Sequence, residues 1–411
     1  MKLVDLNVLN TRGAKMHLSR QKIINVCSAF IFTLGIVSAS VSFAGPREQA
    51  KRMHDRLTGV PPTEAVLTSM TSMIQNQDAI GAAMLAMDNP FFINTTIKDW
   101  ATPWTNRDQS VYRDLNDSTA TVMGMVRDDV PFDQILYADT VYIGSADATN
   151  EAYSVSNNDH YEDLQNRRRD LSDPAMLVAM NQSVLNDQLA ANQTAGIMTT
   201  RGYAQAFLIA GTNRAALRFA TLNFMCMDME AFRDKSAYPD RVRQDVDRSP
   251  GGDSKIFMND CLTCHAGMDG LAGAFAFYDF VEVEDQGERL VYTDGVVQPK
   301  YLNDAGVFPT GFATTGDSWV NYWRSGQNSW VGWNAPNNGV GRGAKELGME
   351  LAQTRQFSEC QVKKAFEKVC HRSPNGAADV QAVTNIANSF EANNRSMKRV
   401  FAETAAYCMG N

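Results

Sequence analysis

Cys261-Leu262-Thr263-Cys264-His265 places two thiols three positions apart and an imidazole directly after the second. On one turn of helix the two sulfurs share a face, and C-x-x-C-H is the spacing by which c-type haem is attached. Each thiol can add to a vinyl group on one edge of the porphyrin, and the imidazole that follows is carried beneath the ring to bind iron. Other uses of paired cysteines ask for surroundings that this chain lacks. A thioredoxin-like pair wants a preceding strand and a βαβ context, and neither is legible here. A zinc site needs a second Cys or His pair at ligand spacing, whereas Cys226, Cys360, Cys370 and Cys408 are widely scattered. The motif occurs once, which disfavours a dihaem peroxidase and leads to the expectation of a single covalent haem c.

Gly252 and Phe257 precede the motif as G-x-x-x-x-F-x-x-x-C, and on a helix Phe257 lies four residues before Cys261, with its ring on the thiol's face. This arrangement resembles the N-terminal helix of class I cytochromes c, in which an aromatic residue packs beside the haem. The resemblance implies Cys261 and Cys264 as the thioether sites and His265 as the proximal iron ligand. The longer stretch 260–281 resembles a planctomycete-type bacterial cytochrome c domain family, in which C-x-x-C-H is followed by a Met-Asp-Pro-Leu-Gly-Phe-Ala-like run and an aromatic-Asp pair. Met268, Asp269, Leu271, Ala274, Phe275, Tyr278 and Asp279 match that run, while Gly270 stands where the family usually has Pro. Residues 281–298 and 339–366 fit the same family, and 130–145 resembles its preceding helical domain, so the likeness covers about residues 80–411. Only the haem box is highly specific, and the family implies an architecture rather than a substrate.

Residues 23–44 carry no charge and follow Arg12, Lys15, Arg20 and Lys22. A basic start, an apolar run and small residues at Ser42 and Ala44 describe a secretory signal peptide over residues 1–44, cleaved after Ala44, with Met16 as an alternative start. The other reading is a membrane anchor, since the run is just long enough to span a bilayer; the polar Ser-Ala-Ser-Val-Ser end favours cleavage. Cys27 follows a poor lipobox. Without the first 44 residues, Lys plus Arg falls from 38 to 33 and Asp plus Glu from 46 to 45, a net charge of about −12. An exported, periplasmic chain this acidic, with no stable membrane span after cleavage, is a poor ligand for nucleic acid or anionic lipid. It suits a redox partner with a basic docking patch.

The periodicity beyond residue 44 predicts a mainly α fold. Residues 47–59, 62–76 and 77–88 read as short helices punctuated by Pro61-Pro62, and 105–130 and 144–160 as polar loops. A helix from about Asn213 to Phe232, capped by Thr212, carries Cys226 on a buried stripe beside the core methionines Met225 and Met227. Arg248-Ser-Pro-Gly-Gly-Asp253 breaks the chain, placing a boundary between a helical domain of unknown role over 45–247 and a haem domain over 248–411. A hairpin turns at Asp285-Gln286-Gly287, and a second turn at Asp294-Gly295 leads to Val296 and Val297. Ser358 and Gln361 read as a capping box opening a helix with Val362, Ala365, Phe366 and Val369 on one face. Val380, Val383, Ala387 and Phe390, then Met397, Val400, Phe401, Thr404 and Cys408, complete an up-down-up unit. Cys360 and Cys370 on one continuous helix would be roughly 15 Å apart, too far for a disulfide. Parallel first and third helices bring Cys370 to Cys408, leaving Cys226 for Cys360.

A strong ligand opposite His265 gives an electron carrier, and an open position lets a small molecule bind. Met268 is too close to His265 to reach the opposite face, and Met349, pointing away from the stripe of Ala344, Leu347 and Leu351, is the candidate distal ligand. Met225, Met227 and Met229 are alternatives; His371 suits a helix cap, and His54 and His160 fall in surface segments. Trp319, Trp323, Trp330 and Trp333 form an apolar wall or a stacking platform. Asp245, Asp247 and Asp253 read as a solvated helix end and turn. The expected function is an exported monohaem cytochrome passing single electrons. The alternatives are a haem enzyme or gas sensor with an open distal site, and an envelope interaction protein in which haem is structural.

Overall fold

In the computed structural model, residues 44–209, 211–334 and 338–410 are described. The apolar segment and almost all of the expected signal lie outside them. Helices α1 (Pro46–Thr58), α2 (Glu64–Gln75) and α3 (Ala79–Met87) stand where the spacing predicts. Thr63 and Asp78 cap α2 and α3 by accepting from Val66 N and Gly81 N.

Within the loop expected over 105–130, residues 106–116 are irregular, but Asp117–Arg127 form helix α4, with every residue buried. A helix surrounded on all sides has no solvated face, and so no amphipathic period betrays it. Several of its polar groups are satisfied internally: Asn116 caps Thr119 N, the Thr121 hydroxyl donates to Asp117 O, and Ser118 pairs with Thr200; the buried Thr119 hydroxyl is left without a partner. Strands β1 (Val141–Gly144) and β2 (Leu177–Met180) form an unforeseen antiparallel pair bracketing α5 (Asp159–Asn166). Helices α6 (Arg201–Phe207) and α7 (Arg214–Met225) follow.

The last of these is shorter than expected. Asn213, not Thr212, precedes it, and it ends at Cys226, whose φ of 53° is left-handed and stops the helix. Met229–Phe232 is a separate 3₁₀ turn. After α8 (Leu262–Ala272), β3 (Tyr278–Val283) and β4 (Gly287–Tyr292) pair as the expected hairpin. Val296 and Val297 follow the Asp294-Gly295 turn outside any strand. A small pair, β5 (Ser318–Val320) and β6 (Val340–Arg342), precedes α9 (Gly343–Ala352).

The C-terminal unit comprises α10 (Arg355–Cys370), α11 (Gly376–Ala392) and α12 (Met397–Cys408), packed on one another and, through α12, on α3. Thr354, not Ser358, caps α10 by accepting from Phe357 N; Ser358 and Gln361 are buried within it. On α11 Ala387 and Phe390 are buried as expected, whereas Val380 is exposed and Ala382 and Ile386 are buried as well. The disulfides are Cys226–Cys360 and Cys370–Cys408, as the helix geometry predicts.

Packing runs across residue 248. Ala44–Asn411 form one compact unit, and a continuous core draws on Phe224 and Met225 before that point and on Leu271, Phe275 and Leu351 after it. The break at 248–253 is therefore a connection inside this unit. Among the described residues no helix is long and apolar enough to cross a membrane.

Candidate thiol and imidazole site

Asp253 opens the segment by accepting from Lys255 N, after Gly251 and Gly252 have turned the chain at positive φ. Phe257–Cys261 then forms a π turn, in which Leu262 N donates to Phe257 O, before α8 settles into α geometry. Such wide turns are frequent at functional sites. Phe257 is buried beside Cys261 in a small cluster with Val242, Leu262 and Ala266, and Arg248 lies 4.8 Å from its ring centre.

Cys261, at the N-cap of α8, and Cys264 and His265 on it are partly exposed, while Leu262, Thr263, Ala266 and Gly267 are buried. The three functional groups thus share the open side of an otherwise enclosed helix. Cys261 and Cys264 are the free cysteines of the described residues. Burial pushes the Cys264 thiol pKa up, and its sulfur lies 3.7 Å from Met229 O.

His265 Nδ1 lies 3.2 Å from each oxygen of Asp269, one helical turn on. A carboxylate can only accept there, so Nδ1 is the donor and Nε2 is the nitrogen left available to a metal. Burial alone would push the Asp269 carboxyl up, but the His265 hydrogen bond and the Arg214 guanidinium hold it well below the usual range. Arg214 donates to both oxygens of Asp269, at 2.6 and 3.0 Å, and to both oxygens of Asp245. Arg243 N adds a fourth donor to Asp269, at 3.1 Å. Asp245 is thus buried in ion pairs and not solvated as expected, since Arg214 comes from 31 residues earlier in the chain. The sequence signal that points to Asp269 is its place at four residues after the imidazole; nothing local points to Arg214.

The free thiols and an imidazole with one nitrogen held by a carboxylate fit a covalent haem c. Metal-binding histidines commonly donate their other N–H to such a carboxylate. The principal cavities open elsewhere; the one that touches α8, of about 510 Å³, is lined by Arg233, Lys235, Asn259 and Thr263 and by none of the three groups.

The remaining candidates are dispersed. Met349 is half-buried on α9, which packs against the Gly273–Phe275 turn ending α8. Met225, Met227 and Met229 are buried in the core. His54 and His160 are buried, not on the surface. His54 Nδ1 meets Val60 O, while His160 engages Glu151 O and Gly144 N through its two nitrogens, which leaves it no lone pair for a metal. His371 is the exposed C-cap of α10. Trp319 and Trp323 are buried and Trp330 is exposed.

Trp323 stacks on Phe232 at 4.0 Å beneath α8, where Gly267 admits it: a Cβ at 267 would stand 1.9 Å from Trp323 Nε1. Gly267→Ala is expected to cost about 1–3 kcal/mol, read as a lower urea midpoint at unchanged slope; an unaltered midpoint would mean that the stack yields freely. No protein-family model, curated protein or solved structure matches the chain.

Proposed function

We propose that the protein is an exported monohaem c-type cytochrome that passes single electrons between redox partners. One observation carries the reading: four described cysteines are joined in disulfides, while Cys261 and Cys264 are left free beside His265. In an oxidising compartment a structural pair so close would be expected to join as well, and thiols reserved for thioether bonds explain the exception. Cys261 and Cys264 would hold the group, and Nε2 of His265 would bind its iron. Bound there, the haem supplies one-electron chemistry, at a potential set by its ligands and burial. Met349 is the proposed distal ligand. The net acidity of the chain steers it toward a basic docking patch on its partner.

Production with cytochrome maturation machinery tests this. The wild type is expected to gain the mass of one haem, and the Cys261→Ser, Cys264→Ser double variant to lose covalent haem completely. A wild-type mass without haem would overturn the reading. In the oxidised protein a methionine charge-transfer band is expected, lost in Met349→Ala. A high-spin spectrum that shifts with carbon monoxide or cyanide would replace electron carriage with small-molecule binding.

A further inference from the structure

The side chain of Asp269 is fully buried, a costly place for a carboxylate. Helix packing does not require it, because an apolar residue could fill the same position on α8. Its donors come from three directions: Arg214 by two bonds, the backbone of Arg243, and Nδ1 of His265. Arg214 and Arg243 balance Asp269 and Asp245 in charge, so the cluster is neutral when the imidazole is neutral, as an iron ligand must be.

We propose that Asp269 is the positioning residue of the proximal ligand: it fixes the ring and tautomer of His265 so that Nε2 faces outward, and its hydrogen bond makes that nitrogen a stronger donor to iron. The inference rests on the haem reading above and deepens it. Arg214, bonded to both carboxylates, fixes Asp269 and draws charge from it, which keeps the shared proton on Nδ1. A stronger nitrogen donor favours the ferric ion, so Asp269 holds the potential down. The connection also gives the helical region before residue 248 a part in the site, because Arg214 opens α7 while the thiols and imidazole lie on or beside α8.

The decisive comparison is between Asp269→Asn and Asp245→Asn in the haem-loaded protein. Each removes one negative charge from the Arg214 cluster, but only Asp269 touches His265. In a Met349→Ala background, which removes the proposed distal ligand, Asp269→Asn is expected to lower the iron–histidine stretching frequency of the ferrous form in the resonance Raman spectrum. At a fixed poise it is expected to raise the ferrous-to-ferric ratio by about tenfold, equivalent to ~59 mV for one electron. Asp245→Asn should leave the stretch unchanged and move the ratio less. Equal shifts in both variants, or an unmoved stretch in Asp269→Asn, would overturn the inference while leaving covalent haem, and the proposed function, standing. A wild type without covalent haem would overturn both. Should Asp269→Asn fail to mature, ¹⁵N NMR of the wild-type apo chain decides: the proton is expected on Nδ1 of His265, and the opposite tautomer would refute the role of Asp269.

Discussion

Replacing Cys226 and Cys360 together by alanine is expected to lower the unfolding free energy by about 5 kcal/mol, the value for a crosslink that closes so long a loop. The bond spans 134 residues, against 38 for Cys370–Cys408, whose removal should cost about 4 kcal/mol by the same reasoning. The larger loss falls on a junction with other support. Because α7 stops at Cys226, its last carbonyls have no partners in their own helix. Side chains of α10 supply them: Gln356 donates to Met225 O at 2.8 Å, Gln361 to Phe224 O at 3.0 Å and Lys364 to Asn223 O at 2.5 Å. Burial pushes the Lys364 amine pKa well down, and its nitrogen sits 4.0 Å from the Trp104 ring centre.

Those bonds should keep the Cys226→Ala, Cys360→Ala variant native at low temperature while its urea midpoint falls. A loss below about 1 kcal/mol would show that the junction is held by these bonds and by core packing, with little contribution from the crosslink.

What could be read from the sequence follows from what each signal reports. The motif is local chemistry, and Cys261, Cys264 and His265 do share one side of a helical turn. The disulfides were legible because helix rise forbids Cys360 from reaching Cys370, a limit that needs no tertiary structure. The faces of α10 and α12 were legible because each has a wet side. Asp269 and Arg214 are 55 residues apart, and their pairing depends on how α7 meets α8; no periodicity encodes that. The misjudged ends of α7 and α10 have a related cause. Cys226 takes a left-handed φ without being glycine, and Thr354 caps α10 three residues before Phe357, so neither end carries a glycine stop or a Ser/Thr-x-x-Glu/Gln box.

The buried helix α4, which stands inside the stretch expected to be loop, gives the other large prediction. Asp117 opens α4 with its side chain enclosed, and its oxygens accept from three backbone groups: Ser118 N at 2.8 Å, Gly202 N at 2.8 Å and Arg201 N at 2.6 Å. One carboxylate therefore serves the N-termini of α4 and α6 together, where the helix dipoles favour negative charge. The approach is close enough that a Cβ on Gly202 would lie 2.9 Å from Asp117 Oδ1. Asp117→Ala strands three donors out of reach of water, each costing about 1–3 kcal/mol, so a loss of at least about 3 kcal/mol in urea unfolding is expected. Asp117→Asn keeps one oxygen, which can still serve Ser118 and Gly202 while the amide turns toward Arg201 N; its loss should be clearly smaller. Equal losses in the two variants would mean that charge at the paired helix ends, and not the count of acceptors, holds α4 in the core. Near-neutral behaviour of both would mean that water reaches this junction and that α4 is less enclosed than its packing shows.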